Sequence, residues 1–233
     1  MNASMRLALV LIFTLSGFAC GQKPPEPKPA PETRKTDEKV TYTFDDAMTG
    51  LVPKGWTVAE TKSDGAPATW RVEAMKEDAA HKNAVKVDSK NKEAVFNLLM
   101  TEASHPADLD YSVAVKAGTG EDDRGGGVLW RAKDADNYYI TRWNPLEKNI
   151  RLYRVEAGAR TTLKSADGIE ADAKTWHSIA VSHRGKKITV KFDDKIVLEA
   201  EDEALKDGGK VGLWTKADAS SWFDDVVITP AKK

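Results

Sequence analysis

The stretch "DNYYITRWNPLEKNIRLYRV", residues 136–155, gathers three tyrosines, one tryptophan and three arginines into two short strand-like runs. If "NYYITRW" is a strand, Tyr139, Thr141 and Trp143 share one face, and Tyr138, Ile140, Arg142 and Asn144 share the other. The run "GVLWR" sets Val128 and Trp130 against Leu129 and Arg131, and "NIRLYRV" sets Ile150, Leu152 and Arg154 against Arg151, Tyr153 and Val155. Every face mixes apolar with polar members, so neither reads as simply dry. Sugars lay C–H-rich faces on aromatic rings and pair their hydroxyls with planar donors such as guanidinium and amide groups. Tyr138, Arg142 and Asn144 together with Arg131 therefore make a candidate ligand surface, to which Trp214 and Trp222 could add a platform. The same residues also suit a plainer role, with aromatics filling a core and arginines pairing with cross-strand carboxylates. The sequence leaves both open.

Other chemistry is less visible. Glycoside hydrolysis needs two carboxylates, about 5–5.5 Å apart for retention or about 6.5–9.5 Å for inversion. No Glu-x-Asp-x-x-Glu strand is present, and "EAEDE" at 199–203 sits at a strand end, where acidic groups are ordinarily solvated. Glu147, Asp136 and Asp202 are the carboxylates nearest the aromatic hairpins. No Gly-x-Ser-x-Gly elbow occurs. His177 and His183 share parity with Ile179 and Val181 and read as packing residues, while His81 and His105 stand in polar loop text. Four Asp-Asp pairs offer hard oxygen donors, and pairing of the first and last strands would bring Asp45 near Asp224 or Asp225. Calcium takes six to eight such oxygens. No loop has a dedicated calcium spacing, so no cofactor is expected, with calcium at Asp45 and Asp224 the one candidate.

The elements that must position these groups are strands. A period near two runs through "YSVAVKA", "HSIAVSH", "KITVKF" and "KIVLEA". "RGKK", "FDDK" and "KDGGK" mark reversals between them, and "WFDDVVI" reads as a last strand closed by Pro230. Single helical turns are expected at most at "ADAKTW" and "DEALKD". Many short strands with Gly/Asp/Asn turns predict an all-β antiparallel sandwich or barrel.

The chain ends carry different information. Arg6, an apolar run from Leu7 to Phe18, and Ala19 describe an export signal over residues 1–19. That run is shorter than the ~20 residues a membrane-spanning helix needs. "GFAC" resembles the bacterial lipobox, which implies that Cys20, the one cysteine of the chain, is lipidated and holds the protein to a membrane. Gly21 and Gln22, in place of an aspartate, favour the outer membrane of a double-membrane bacterium by the same resemblance. Residues 21–39 hold five of the ten prolines and no aromatic residue, a composition expected to form an extended stalk rather than a core. Residues 40–230 are long enough for one domain with a large core, followed by a short tail, 231–233. A net charge of -1 with interspersed lysines and carboxylates gives no support to nucleic-acid binding. A monomer is expected.

"TWHSIAVSHRGKKITVKFDDKIVLEAED", "GKVGLWTKAD", "FDDAMTGLVPKGW" and "WFDDVVI" resemble strands of the concanavalin A-like lectin/glucanase superfamily. The central "GGGVLWRAKDADNYYITRWNPLEKNIRLYRVEAGAR" is similar to exported bacterial proteins near the DUF1080, or 3-keto-disaccharide hydrolase, domain. The resemblance spans about residues 42–229. It implies a jelly-roll sandwich and, by the family name, activity on a modified disaccharide. Three functions follow as expectations: a glycan-binding domain without catalysis, a glycoside hydrolase-like enzyme, or a protein-interaction module of the cell envelope.

Overall fold

The structure, a computed structural model, describes residues 37–63, 65, 67–92 and 94–232. The expected export signal, Cys20 and most of the proline-rich stretch lie outside the described residues. Fifteen strands are present: β1 (Val40–Tyr42), β2 (Trp56–Thr61), β3 (Thr69–Ala74), β4 (Asn83–Asp88), β5 (Phe96–Thr101), β6 (Leu109–Ala117), β7 (Gly126–Asp134) and β8 (Asn137–Asn144). They are followed by β9 (Asn149–Glu156), β10 (Ala159–Asp167), β11 (His177–Arg184), β12 (Lys187–Phe192), β13 (Lys195–Glu201), β14 (Lys210–Lys216) and β15 (Ser221–Pro230). Among the described residues there is no helix, and the two stretches expected to make single turns hold none.

An eight-stranded sheet runs β13-β12-β11-β6-β15-β4-β3, with β1 also on β15. A seven-stranded sheet runs β10-β9-β8-β7-β14-β5-β2. Every pairing is antiparallel, and β1 pairs with the last strand as expected, Tyr42 opposite Val226. Hairpin chemistry is as the turns predicted. Asp193 and Asp194 both take positive φ (47° and 62°), the two-residue reversal whose twist matches the flanking strands.

Alternation sorts side chains into two apolar layers. Val113, Val115, Ile179, Val181 and Phe223 from the eight-stranded sheet meet Trp130, Tyr139, Trp143 and Leu213 from the seven-stranded one in the main core. His183 belongs there too, fully buried, with Trp130 Nε1 donating to its Nδ1 at 2.9 Å, as its parity with Ile179 requires.

The other face of the seven-stranded sheet is also buried. Phe96, Leu98, Met100, Leu129, Tyr138, Ile140, Tyr153, Val155 and Trp214 form a second cluster. The sheet curls until side chains from each edge reach across this face. Thr61 of edge strand β2 donates to Ala135 O at 2.5 Å and bonds the Tyr138 hydroxyl at 2.8 Å. From the opposite edge, the Arg160 guanidinium of β10 lies 5.0 Å from the Phe96 ring of β5. The curl closes one end of this concave face over aromatic rings and leaves polar side chains at the other.

Candidate functional site

At the polar end, β8 ends and turns into β9, bringing Arg142, Asn144, Glu147, Asn149, Arg151 and Tyr153 together. Gly127 of β7 stands opposite Arg142, and a Cβ there would lie 1.9 Å from the Thr141 carbonyl oxygen. Only glycine lets the two backbones approach this closely beneath the arginine. Arg142 is 2% exposed. Its Nη1 donates to Asn149 Oδ1, and its Nη2 donates to Glu147 Oε2 at 2.9 Å and to the Tyr153 hydroxyl at 3.3 Å. Glu147 also accepts from Asn149 Nδ2 at 3.0 Å and pairs with Arg151 at 3.2 Å. Asn144 folds the turn itself, its Oδ1 accepting from the backbone of Leu146 and Glu147, while its Nδ2 donates to Asp123 Oδ1 at 3.0 Å. Lys216 Nζ stands 3.6 Å from the other Asp123 oxygen.

The two carboxylates are driven apart. Burial raises Asp123 above its ordinary range against the pull of Arg142 and Lys216. Desolvation pushes Glu147 the same way, but Asn149, Arg142 and Arg151 outweigh it and hold Glu147 below its usual value. Glu147 and Arg151 form an open rim, with side chains 40% and 35% exposed. Inside that rim, Arg160 lies over the Tyr153 ring at 4.3 Å, and Arg142 reaches the same ring from 5.9 Å. Arg142 Nε and Arg160 Nη1 are buried without an acceptor. An unsatisfied buried donor costs about 1–3 kcal/mol, so these two N–H groups are the site's outstanding demand.

Three of the residues singled out from sequence, Arg142, Asn144 and Glu147, thus meet in one place. The others do not join them, and the expected exposed surface is corrected accordingly. Tyr138 and Trp214 are fully buried in the second cluster, Trp214 Nε1 donating to the Tyr138 hydroxyl at 3.3 Å. Arg131 leaves the face altogether, because a bulge between Trp130 and Asp134 gives it a φ of 49°. Its guanidinium is buried on Ala107 O, Leu205 O and Gly185 O, far along β7 from Arg142. Asp202 is engaged structurally, accepting from the Tyr139 hydroxyl at 2.5 Å and from Arg154. Asp136 is exposed in the β7–β8 turn, at the opposite end of β8 from Glu147. These three carboxylates therefore form no catalytic pair with one another. Trp222 lies on the outer face of the eight-stranded sheet, donating to Glu73 at 3.2 Å beneath Lys86. Asp123, Asn149, Tyr153, Arg160 and Lys216 were not anticipated from sequence. The Asp122-Asp123 pair reads in the sequence as one of four sets of hard oxygen donors, not as part of this site.

A separate cluster occupies that outer face. His81 Nδ1 lies 2.9 Å from Asp224 Oδ2 and 3.6 Å from Asp225 Oδ2, and the His81 ring stacks on Trp176 at 4.1 Å. Trp176 in turn donates to Asp78 at 2.7 Å. His81, which the sequence placed in loop text without a partner, thus does have one. Among the described residues Asp45 stands outside this group, its carbonyl accepting from Asn83 Nδ2 at 2.8 Å. One imidazole and two carboxylates among the described residues are fewer than the six to eight oxygens calcium takes.

Burial pushes the Asp224 carboxyl up to about 6. A carboxyl raised on folding favours the fold where it is protonated. That contribution is complete below the unfolded value near 3.9 and is lost as pH rises through about 6. Asp224→Asn, neutral throughout and still able to accept from His81, should gain about 1–3 kcal/mol relative to the parent between pH 4 and pH 8. Urea denaturation at the two pH values measures this. Parallel stability curves would mean that the His81 hydrogen bond and the Asp225 backbone N–H already compensate the buried charge.

A shallow groove of about 270 Å³ also crosses the eight-stranded sheet over Ser112, Ala180, Thr189 and Val227. Its one aromatic lining residue, Tyr111, turns its hydroxyl inward to Gly212 O, so the groove offers no ring on which a sugar could stack.

No protein-family model matches the chain, and no curated protein matches it. Solved structures do match. A carbohydrate binding module, CBM66 from Bacillus subtilis, superposes with a TM-score of 0.61 at 20% identity, covering 78% of this chain and 99% of that one. A Bacillus licheniformis β-glucanase gives a TM-score of 0.58 at 14% identity over 84% of this chain and 100% of that one. The Ca2+/Man-bound exoplasmic/lumenal domain of VIP36 gives 0.57 at 13% identity over 83% and 90%. These likenesses establish the fold as a concanavalin A-like jelly roll of two antiparallel sheets.

Proposed function

We propose that this protein is a membrane-tethered, extracytoplasmic glycan-binding module whose site is the polar end of the concave face. The observation that carries the proposal is the Arg142 network. A buried guanidinium is fixed by Asn149, Glu147 and Tyr153, and two donors, Arg142 Nε and Arg160 Nη1, lack acceptors inside an open Glu147–Arg151 rim. A sugar hydroxyl or ring oxygen supplies the acceptor these donors lack, and the Tyr153 ring supplies apolar contact. The structural neighbours include a carbohydrate binding module and a Ca2+/Man-bound domain, which agrees with this reading. The tether rests on Cys20 after its apolar leader and on the proline-rich stalk.

Full-length protein solubilised from membranes is expected to bind at least one member of a panel of neutral and acidic oligosaccharides in calorimetric titration. Cys20→Ser should move it to the soluble fraction with that binding retained. Failure to bind any member would remove the glycan reading, and unchanged membrane association of Cys20→Ser would remove the tether.

A second reading draws support from the split carboxylates. Asp123, raised, and Glu147, lowered, are matched to a general acid and a general base in one site. Turnover of a bound oligosaccharide that is lost in both Asp123→Asn and Glu147→Gln would favour a hydrolase over a binder.

A further inference from the structure

Resting on the glycan-binding reading, we propose that the site selects an acidic glycan, the carboxylate of a uronate-type sugar seating between Arg160 and Arg142. Two observations beyond the hydrogen-bond network lead there.

The first is the charge balance of the ring of side chains that encloses the polar end. From Arg142 the contacts pass through the Tyr153 hydroxyl to Arg160, which lies over Tyr153, and on to Phe96. Phe96 is in register with Lys216, Lys216 faces Asp123, and Asp123 accepts from Asn144. Among the described residues four cations, Arg142, Arg151, Arg160 and Lys216, line this end, with Asp167 adding to the field on Arg151. Glu147 is shared by two of the arginines and Asp123 faces the lysine. Arg160 is left over. Among the described residues no carboxylate pairs with it, and its partners are aromatic faces. Arg160 is half-buried with its Nη1 fully shielded, so it is partly desolvated without an anion, and a bound anion relieves that cost.

The second is geometry. Arg160 is clamped between Phe96 and Tyr153, with Nη1 buried and unpartnered. Arg142 approaches the same tyrosine ring with Nε buried and unpartnered. A carboxylate has two oxygens to offer, and each arginine keeps one unpartnered N–H beside the same ring, so one carboxylate can accept from both. The tyrosine is then the surface on which the sugar ring rests, and the carboxylate sets its orientation. A neutral sugar satisfies the same donors with weaker, uncharged acceptors, so discrimination should come from charge.

Calorimetric titration of the purified full-length protein with three probes tests this. They are an α-linked galacturonate oligomer, the same oligomer fully methyl-esterified, and a sulfated galactose oligomer of equal length. At low salt the free acid should bind about tenfold or more tighter than its ester, and raising the salt to about 0.5 M should shrink that preference. Arg160→Gln should bring acid and ester to parity, while Arg160→Lys should keep part of the preference. If Arg160→Gln fails to fold, the acid-to-ester ratio and its salt dependence in the parent protein carry the test alone. Equal affinity for acid and ester overturns acid selection and leaves glycan binding standing. Binding of none of the three, nor of any neutral oligosaccharide, removes both. Tighter binding of the sulfated oligomer than of the uronate overturns the carboxylate assignment.

Discussion

Arg131→Ala is expected to lower the melting temperature by about 10 °C, the largest stability loss of any polar substitution proposed here. The guanidinium is 4% exposed as a residue and bonds three backbone carbonyls, Ala107 O at 2.9 Å, Leu205 O at 2.8 Å and Gly185 O at 3.1 Å. Those carbonyls belong to three connecting segments, which flank β6, follow β13, and join β11 to β12. One side chain thus ties together three loops at one end of the sandwich. Removing it leaves the acceptors unsatisfied beneath a surface too tight for easy hydration. At about 1–3 kcal/mol for each unsatisfied group, partly relieved by relaxation, the expected loss is about 3–5 kcal/mol. The ion pair with Asp108 is a minor part, since its carboxylate is 47% exposed and such pairs contribute about 0–1 kcal/mol. Asp108→Ala should therefore cost far less than Arg131→Ala. Thermal denaturation of the two variants decides between the carbonyls and the ion pair. Equal, small losses would show that water replaces the guanidinium without difficulty.

That arginine also shows where the sequence was legible and where it was not. Alternation in β6, β11, β12 and β15 marks strands with one dry face, and there parity places Ile179, Val181 and His183 in the core correctly. The same parity argument misled for β7 and β8, because it assumes that one face of each strand meets solvent. The seven-stranded sheet curls until Thr61 reaches Tyr138 and Arg160 reaches Phe96, so both faces of β8 are buried from Tyr138 to Asn144. A signal was present in "FNLLM" and "GGVLW", whose near-continuous apolar character marks strands covered on both sides. The bulge at Arg131 left no mark in the pattern, since no glycine stands at its positive φ. His81 and Asp224 are 143 residues apart, and nothing in either local text announces the other. Arg142, Asn144 and Glu147 were recoverable because one hairpin carries all three, so local spacing and tertiary proximity coincide.

For the same reason, Arg142→Ala is expected to be the most damaging substitution for ligand binding, reducing affinity about 100-fold or more. A lost hydrogen bond to a charged group is worth about 1.5–3 kcal/mol, and this arginine contributes both a donor and the alignment of Tyr153. The substitution also strips Asn149 Oδ1 and the Tyr153 hydroxyl of their donor. A stability loss of about 2–3 kcal/mol should therefore accompany it. Glu147, open at the rim, can rehydrate and adds little to that loss. Stability and binding are separated by titrating well below the lowered melting temperature and by two companions. Arg142→Lys keeps the charge but forfeits the planar fork, and should recover stability more than affinity. Glu147→Gln should weaken the hold on Arg142 while preserving its side chain, and a double-mutant cycle with Arg142→Ala then isolates their coupling. If Arg142→Ala melts early yet binds glycan as tightly as the parent protein, the network is a brace for the β8–β9 turn, and the ligand must lie elsewhere. If affinity falls while Arg142→Lys restores the melting temperature without restoring binding, the buried guanidinium itself is what meets the sugar.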